Sequence, residues 1–261
     1  MVLEVSVEEI TEPEVIRVYT EYLHDLFTIH VDSKRILTVL TDNEAVASKW
    51  LKEQHSPFYG SRPYDETDQT FDLLTLCVGS HCLMYELPGP EYRPWWSDEL
   101  PYDDAPKVFK AFFQNPRVVV LGTSMAKVAK RLEARHGIQI KNAVDLNQLA
   151  VKGMQRHDLD LARYDFEKLT MTVLGKEFDV IKPERVYWYR RQAYCNRWGI
   201  FYREDCDRLT SEKVMFTTVD AYLRLIMCFK LLEAMDGPGE SSSSNKKKKK
   251  KTKKKTTKRS Q

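Results

Sequence analysis

The sequence has no CxxC pair, and its five cysteines (Cys77, Cys82, Cys195, Cys206, Cys228) are an odd number. Disulfide frameworks and zinc ribbons need closely spaced thiol pairs, so free thiols in a reducing compartment are expected. Cys77, His81 and Cys82 lie on a hairpin whose alternation spreads them over both faces, and no second ligand pair follows; they are expected to be structural. No apolar run reaches the length of a membrane span, and the N-terminus is acidic where a signal peptide would be basic. A membrane span and a secretory leader are therefore not expected. There is no Gly-rich phosphate loop, no internal repeat, and no Ser/His/Asp or Cys/His set at workable spacing.

Acids are also missing from residues 246–261, which hold ten Lys and one Arg. The net charge of +3 therefore misleads. Without that tail, 30 basic residues face 38 acidic ones, a net charge of −8. The positive field is assigned to the tail, and an acidic body argues against strong backbone binding by the body itself. Hydrophobic residues make up 42% of the chain and aromatics 11%, enough for a sizeable core and too much for a largely disordered chain.

The chain divides into an acidic N-terminal extension (residues 1–13) expected to fray, a folded domain (14–236), and a Ser linker with a disordered polylysine tail (237–261). Residues 14–20, 22–31 and 35–41 are rich in β-branched and aromatic residues and predict strands. Asp42 and Asn43 offer a cap to a helix over 44–54. Residues 55–69 hold Pro57, Gly60, Pro63 and three acids and read as a loop. Residues 71–78 and 81–87, separated by Gly79-Ser80, predict a β-hairpin. A short helix over 107–113 precedes RVVVLG (117–122), whose continuous apolar run predicts a strand covered on both faces. Further expectations are a helix over 124–136 stopped by Gly137, a strand over 138–144, and helices from 146 and over 161–174, the last stopped by Gly175. Strands followed by alternating strands and helices predict an α/β layered fold.

The last helix, LTSEKVMFTTVDAYLRLIMCFKLL (209–232), reads as amphipathic, with Val214, Val219, Leu223, Ile226 and Leu232 at helical spacing. Asp220 breaks the pattern, since it shares a face with Phe216 and Leu223. A buried acid there is either satisfied by a nearby Lys, Arg or N–H partner, or is the remains of a site.

The order of several segments decides how that acid is read. LLTLCVGSHCLMYEL, VVVLG with its helix, KNAVDLNQLA, VLGKE and LTSEKVMFTTVDAY together resemble the 3′–5′ exonuclease domain of the Werner syndrome type. This is the plant-style branch of the DEDDy superfamily, and the resemblance spans residues 35–232. It implies a ribonuclease H-like mixed sheet flanked by helices. It also implies Mg²⁺ or Mn²⁺ held by four carboxylates, with two ions activating a water and stabilising the leaving oxygen of a phosphodiester.

Residue by residue, the implied site is incomplete. The Asp-x-Glu strand should fall within PFYGSRPYDETDQ, where one alignment gives Arg62 and Tyr64 and the other Phe58 and Gly60. The second-motif Asp position is Val128, beside Lys127. The last motif's Tyr position is Phe216, and only the final Asp survives, as Asp220. Asp145, in the family's Val-Asp-Leu, is a structural position. With three of four carboxylates missing, the resemblance implies a fold kept and hydrolysis lost, with no cofactor. The alternative is an active Mg²⁺- or Mn²⁺-dependent exonuclease with ligands relocated to Asp65, Glu66, Asp68 or Asp72.

Two further stretches bear on partners. Arg185, Arg190, Arg191 and Arg197 interleave with Tyr187, Trp188, Tyr189, Tyr194 and Trp198. Such a segment tracks a phosphate backbone and stacks bases, or else tucks its aromatics into the core. The run Lys246, Lys247, Lys248, Lys249, Lys250 and Lys251 reads as a nuclear import signal, a nucleic-acid or ribosome arm, an acidic-lipid contact, or a solubilising end. The expectation is a nucleic-acid-binding protein (DNA or RNA) of the nucleus or cytoplasm, bound mainly through the tail. A protein-interaction scaffold is the alternative.

Overall fold

In the computed structural model, residues 3–10, 24–54, 58–63, 73–87, 106–156, 158–177, 193–195, 201–203 and 209–236 are described. Alternating and β-branched segments build an eight-stranded mixed sheet from β1 (Val5–Ile10), β2 (Asp25–Val31), β3 (Lys34–Thr41), β4 (Phe58–Pro63), β5 (Leu73–Val78), β6 (His81–Glu86), β7 (Val119–Gly122) and β8 (Ala143–Asp145). The order is β1-β2-β3-β6-β5-β4-β7-β8. Five of these strands, β6-β5-β4-β7-β8, form the ribonuclease H-like portion. Within it β6, β5 and β4 run antiparallel, and β4, β7 and β8 parallel. β1, β2 and β3 extend it, with β3 parallel to β6. A separate pair joins β9 (Ala193–Cys195) to β10 (Phe201–Arg203).

Alternation along the strands feeds two cores. Leu73, Cys77, Cys82, Met84 and Leu121 face one; Leu74, Leu76, Val78, Leu83, Tyr85 and Val120 face the other. All six residues of β5 are buried, as expected of a strand covered on both sides. On the second face lie α1 (Glu44–Glu53), α2 (Lys107–Gln114) and α3 (Met125–His136), which contribute Trp50, Phe109, Phe113, Met125 and Leu132. On the first lie α4 (Leu146–Met154), α5 (Phe166–Leu174) and α6 (Ser211–Asp236).

Local signals fix the element ends. Asn43 accepts from the Ala45 and Val46 N–H groups at the start of α1. The left-handed Gly79 turns the β5–β6 hairpin, and Gly137 ends α3 in the same conformation. Asp145 caps α4 through the Asn147 and Gln148 N–H groups, and its other oxygen takes the Met125 N–H at 3.0 Å. One carboxylate thus anchors the starts of both helices that follow the parallel strands, the structural role expected for it.

Several segments depart from their sequence expectation. The acidic N-terminal segment does not fray over residues 5–10, which pair along β2 with Leu3 buried beside them. Residues 58–63, read as loop from Gly60 and Pro63, form β4, between β5 and β7; hydrogen bonding from both neighbours overrides a weak local preference. The strand expected over 138–144 shrinks to Ala143–Asp145. The helix expected over 161–174 splits into a 3₁₀ turn (Leu161–Arg163) and α5, because Asp165 caps a fresh start at the Lys168 N–H. Residues 14–20, and most of the Pro-rich 88–106, lie outside the described residues.

Candidate functional site

α6 is not amphipathic through its middle. From Phe216 to Leu225 only Tyr222 is not fully buried, because the helix lies between the sheet and α4 and α5. Thr217, Asp220 and Arg224 follow one another at three and four residues, forming a polar stripe inside this packing. Thr218 adds a buried hydroxyl contact with Thr38 on β3, 3.1 Å away.

Asp220 is 2% exposed and is paired with Arg224, one turn on, whose Nε donates to Oδ1. Arg224 is 6% exposed. Its Nη1 donates to Thr123 Oγ1 at 2.6 Å, immediately beyond β7, and its guanidinium stacks 4.4 Å over the Phe166 ring at the start of α5. Carboxylate, hydroxyl and ring therefore hold one cation between β7, α5 and α6. The bland half of the sequence reading, a buried acid satisfied by a cation, describes the local chemistry. The i, i+4 spacing of Asp220 and Arg224 is the signal the sequence offers for it.

The other motif positions do not converge on this acid. Phe216 is buried at 3% exposure and has no hydroxyl with which to orient a water. Val128 is partly buried on α3 and packs against the core on the opposite face of the sheet. β4 lies between β5 and β7, and its sequence FYGSRP contains no acid. Register places Gly60 beside Cys77 and Leu121, and Arg62 beside Thr75. Asp65, Glu66, Asp68, Asp72, Tyr64, the arginines 185, 190, 191 and 197, and Lys246 to Lys251 lie outside the described residues.

The described residues do not fit a two-metal centre. Hard divalent ions need several anionic oxygens converging on one point. Among the described residues, this site offers one carboxylate, already neutralised by a guanidinium, and neutral hydroxyls. Among the described residues, Thr75 Oγ1, on the α6 side of β5, and Thr217 Oγ1 are buried and find no hydrogen-bond partner. Among the described residues no group of three or more His, Cys, Asp or Glu side chains could hold a metal. No described helix is long and apolar enough to cross a membrane.

A five-stranded mixed core with the long helix across its central strands defines the ribonuclease H-like fold of the 3′–5′ exonucleases. Escherichia coli RNase D, an exoribonuclease involved in structured RNA processing, shares it at a TM-score of 0.54 and 12% identity, over 76% of this chain and 44% of that one. The EXD2 exonuclease domain soaked in Mg and dGMP aligns at 17% identity over 75% of this chain and 89% of that one, with a TM-score of 0.37. Soaked in Mn and GMP, that domain gives 17% identity over 76% and 90%, with a TM-score of 0.35. No protein-family model matches the sequence, and no curated protein sequence does.

Proposed function

We propose that this chain is a degenerate exonuclease of the Werner syndrome type, in its plant-style branch, that binds nucleic acid and does not hydrolyse it. The observation that carries this reading is the Asp220–Arg224 pair. The one acid that corresponds to a family ligand is engaged by a fixed cation one turn along its own helix. The acid-free sequence of β4 points the same way. Binding is assigned to the polylysine tail acting through non-specific phosphate contacts, since lysines give point charges and not base readout. The same tail is assigned to nuclear import.

The test is an end-labelled single-stranded oligonucleotide incubated with full-length protein and Mg²⁺ or Mn²⁺. A retarded but full-length oligonucleotide is expected. Metal-dependent shortening that disappears in Asp220→Ala would establish relocated ligands instead. In a filter-binding titration, the chain ending at Ser244 should bind more weakly than the full chain; equal affinities would remove the role given to the tail.

A further inference from the structure

We propose that the body carries its own phosphate-binding face, on α3 and the adjoining part of α2, with the phosphodiester backbone of a nucleic acid as its ligand. The inference rests on the nucleic-acid-binding reading above and gives it a second surface, on the opposite side of the sheet from Asp220.

The charge of the body is not evenly spread. Residues 106–156 hold ten Lys and Arg but only Glu133 and Asp145 as acids, a net +8. The rest of the body outside the tail holds 20 basic and 36 acidic residues, a net −16. Eight of its ten basic residues come before β8, on α2, β7, α3 and their connections, whereas Lys152 and Arg156 go with α4 on the other face.

α3 shows why the charge is presented outward. Met125, Val128 and Leu132, spaced by three and four, turn into the core. Lys127 and Lys130 are exposed on the opposite side, with Arg131 half-buried beside them. Lys110 on α2 brings its Nζ within 3.4 Å of the Cβ position at Gly137, which places a further positive charge at the C-terminal end of α3. The two acids of the stretch are already engaged. Asp145 accepts three backbone N–H groups, and Glu133 accepts the Gln139 side-chain amide at 2.6 Å. A ridge of ammonium groups on a helix, in a molecule otherwise acidic, selects a polyanion with regularly spaced charge. Among polyanions, the fold favours nucleic acid over an acidic polypeptide.

The experiment measures binding of the full-length chain to a fluorescent oligonucleotide by anisotropy across a salt series. It compares wild type with Lys127→Glu/Lys130→Glu, Lys127→Gln/Lys130→Gln, and Lys34→Glu at the exposed start of β3 as a control. Thermal unfolding checks that each variant is folded. The Glu pair should bind several-fold more weakly, with the slope of log K against log salt reduced by about two, one for each phosphate no longer neutralised. The Gln pair should shift the same way by less, and Lys34→Glu little. An unchanged slope in the Glu pair would overturn the inference while leaving tail-driven binding intact. So would an equal loss in Lys34→Glu. No binding by the wild type would instead overturn the nucleic-acid reading itself.

Discussion

At the scale of single residues, the buried ion pair decides how the site behaves. A carboxylate and a guanidinium taken out of water each carry a desolvation cost, which their mutual attraction and extra hydrogen bonds must offset. Here Arg224 gains the Thr123 hydroxyl and the Phe166 ring in addition to Asp220. Arg224→Met removes the cation from a buried carboxylate and should destabilise the protein by on the order of 3 kcal/mol. Asp220→Leu combined with Arg224→Met removes both charges and should recover most of that loss. Urea unfolding of the two variants checks this, and equal losses would mean the pair does not couple. In the sequence, Asp220 is visible as an anomaly because acids rarely interrupt an apolar stripe. Its partner does not stand out, because a helix read as one-sided leaves Arg224 free to face solvent. Only burial around the helix turns the i, i+4 spacing into an obligatory pair.

At the scale of elements, contacts between helices and between strand turns hold the layers in place. α4 approaches α6 so closely that a Cβ on Gly153 would lie 3.0 Å from the Leu231 carbonyl oxygen and 3.4 Å from Leu231 and Met235 side-chain carbons. Gly153→Ala improves helix propensity but should still destabilise, by roughly 1–2 kcal/mol net, because backbone must move. A rise in the thermal midpoint would show that the helices can separate freely. On the far side of the same layer, the β2–β3 turn is tied to the end of α5. Asp32 pairs with Lys176 and accepts the Glu4 N–H at 3.3 Å. The hydrogen bond from Lys176 holds the Asp32 carboxyl below its ordinary value of 3.8, with burial opposing it. A lowered folded-state value means the contribution is full above pH 3.8 and lost as pH falls through the folded value. Asp32→Asn keeps the left-handed turn and should cost less than about 1 kcal/mol at neutral pH, since the pair is a third exposed. The difference from wild type should vanish on acidification below that range. A difference independent of pH would assign the effect to the turn.

These elements also show where sequence reading succeeds. The hairpin at Gly79-Ser80, the Asn43 cap, the apolar run of β7 and the Gly137 stop each rest on a local rule, and each appears in the fold. β4 rests on none. Gly60 and Pro63 weaken its local preference, and its strand character comes from β5 and β7, which are separated from it in sequence. That FYGSRP carries no acid is therefore legible in the sequence, whereas its being a strand is not.

At the scale of the whole molecule, charge organisation and fold point to one architecture. The ribonuclease H-like fold has the buried Asp220 paired with a guanidinium on one face of its sheet and the exposed lysines of α3 on the other. The ridge is readable from charge counted element by element. The single total for the body hides it, because +8 in one stretch is outweighed by −16 elsewhere. On the proposed reading, Asp220 belongs to a fixed ion pair and not to a divalent-metal site. Electron paramagnetic resonance of Mn²⁺ titrated into the full-length protein at physiological ionic strength tests it without relying on turnover. The free Mn²⁺ signal should rise as in buffer, and Asp220→Ala should not alter it. Stoichiometric loss of the free signal in the wild type, abolished by Asp220→Ala, would contradict the account.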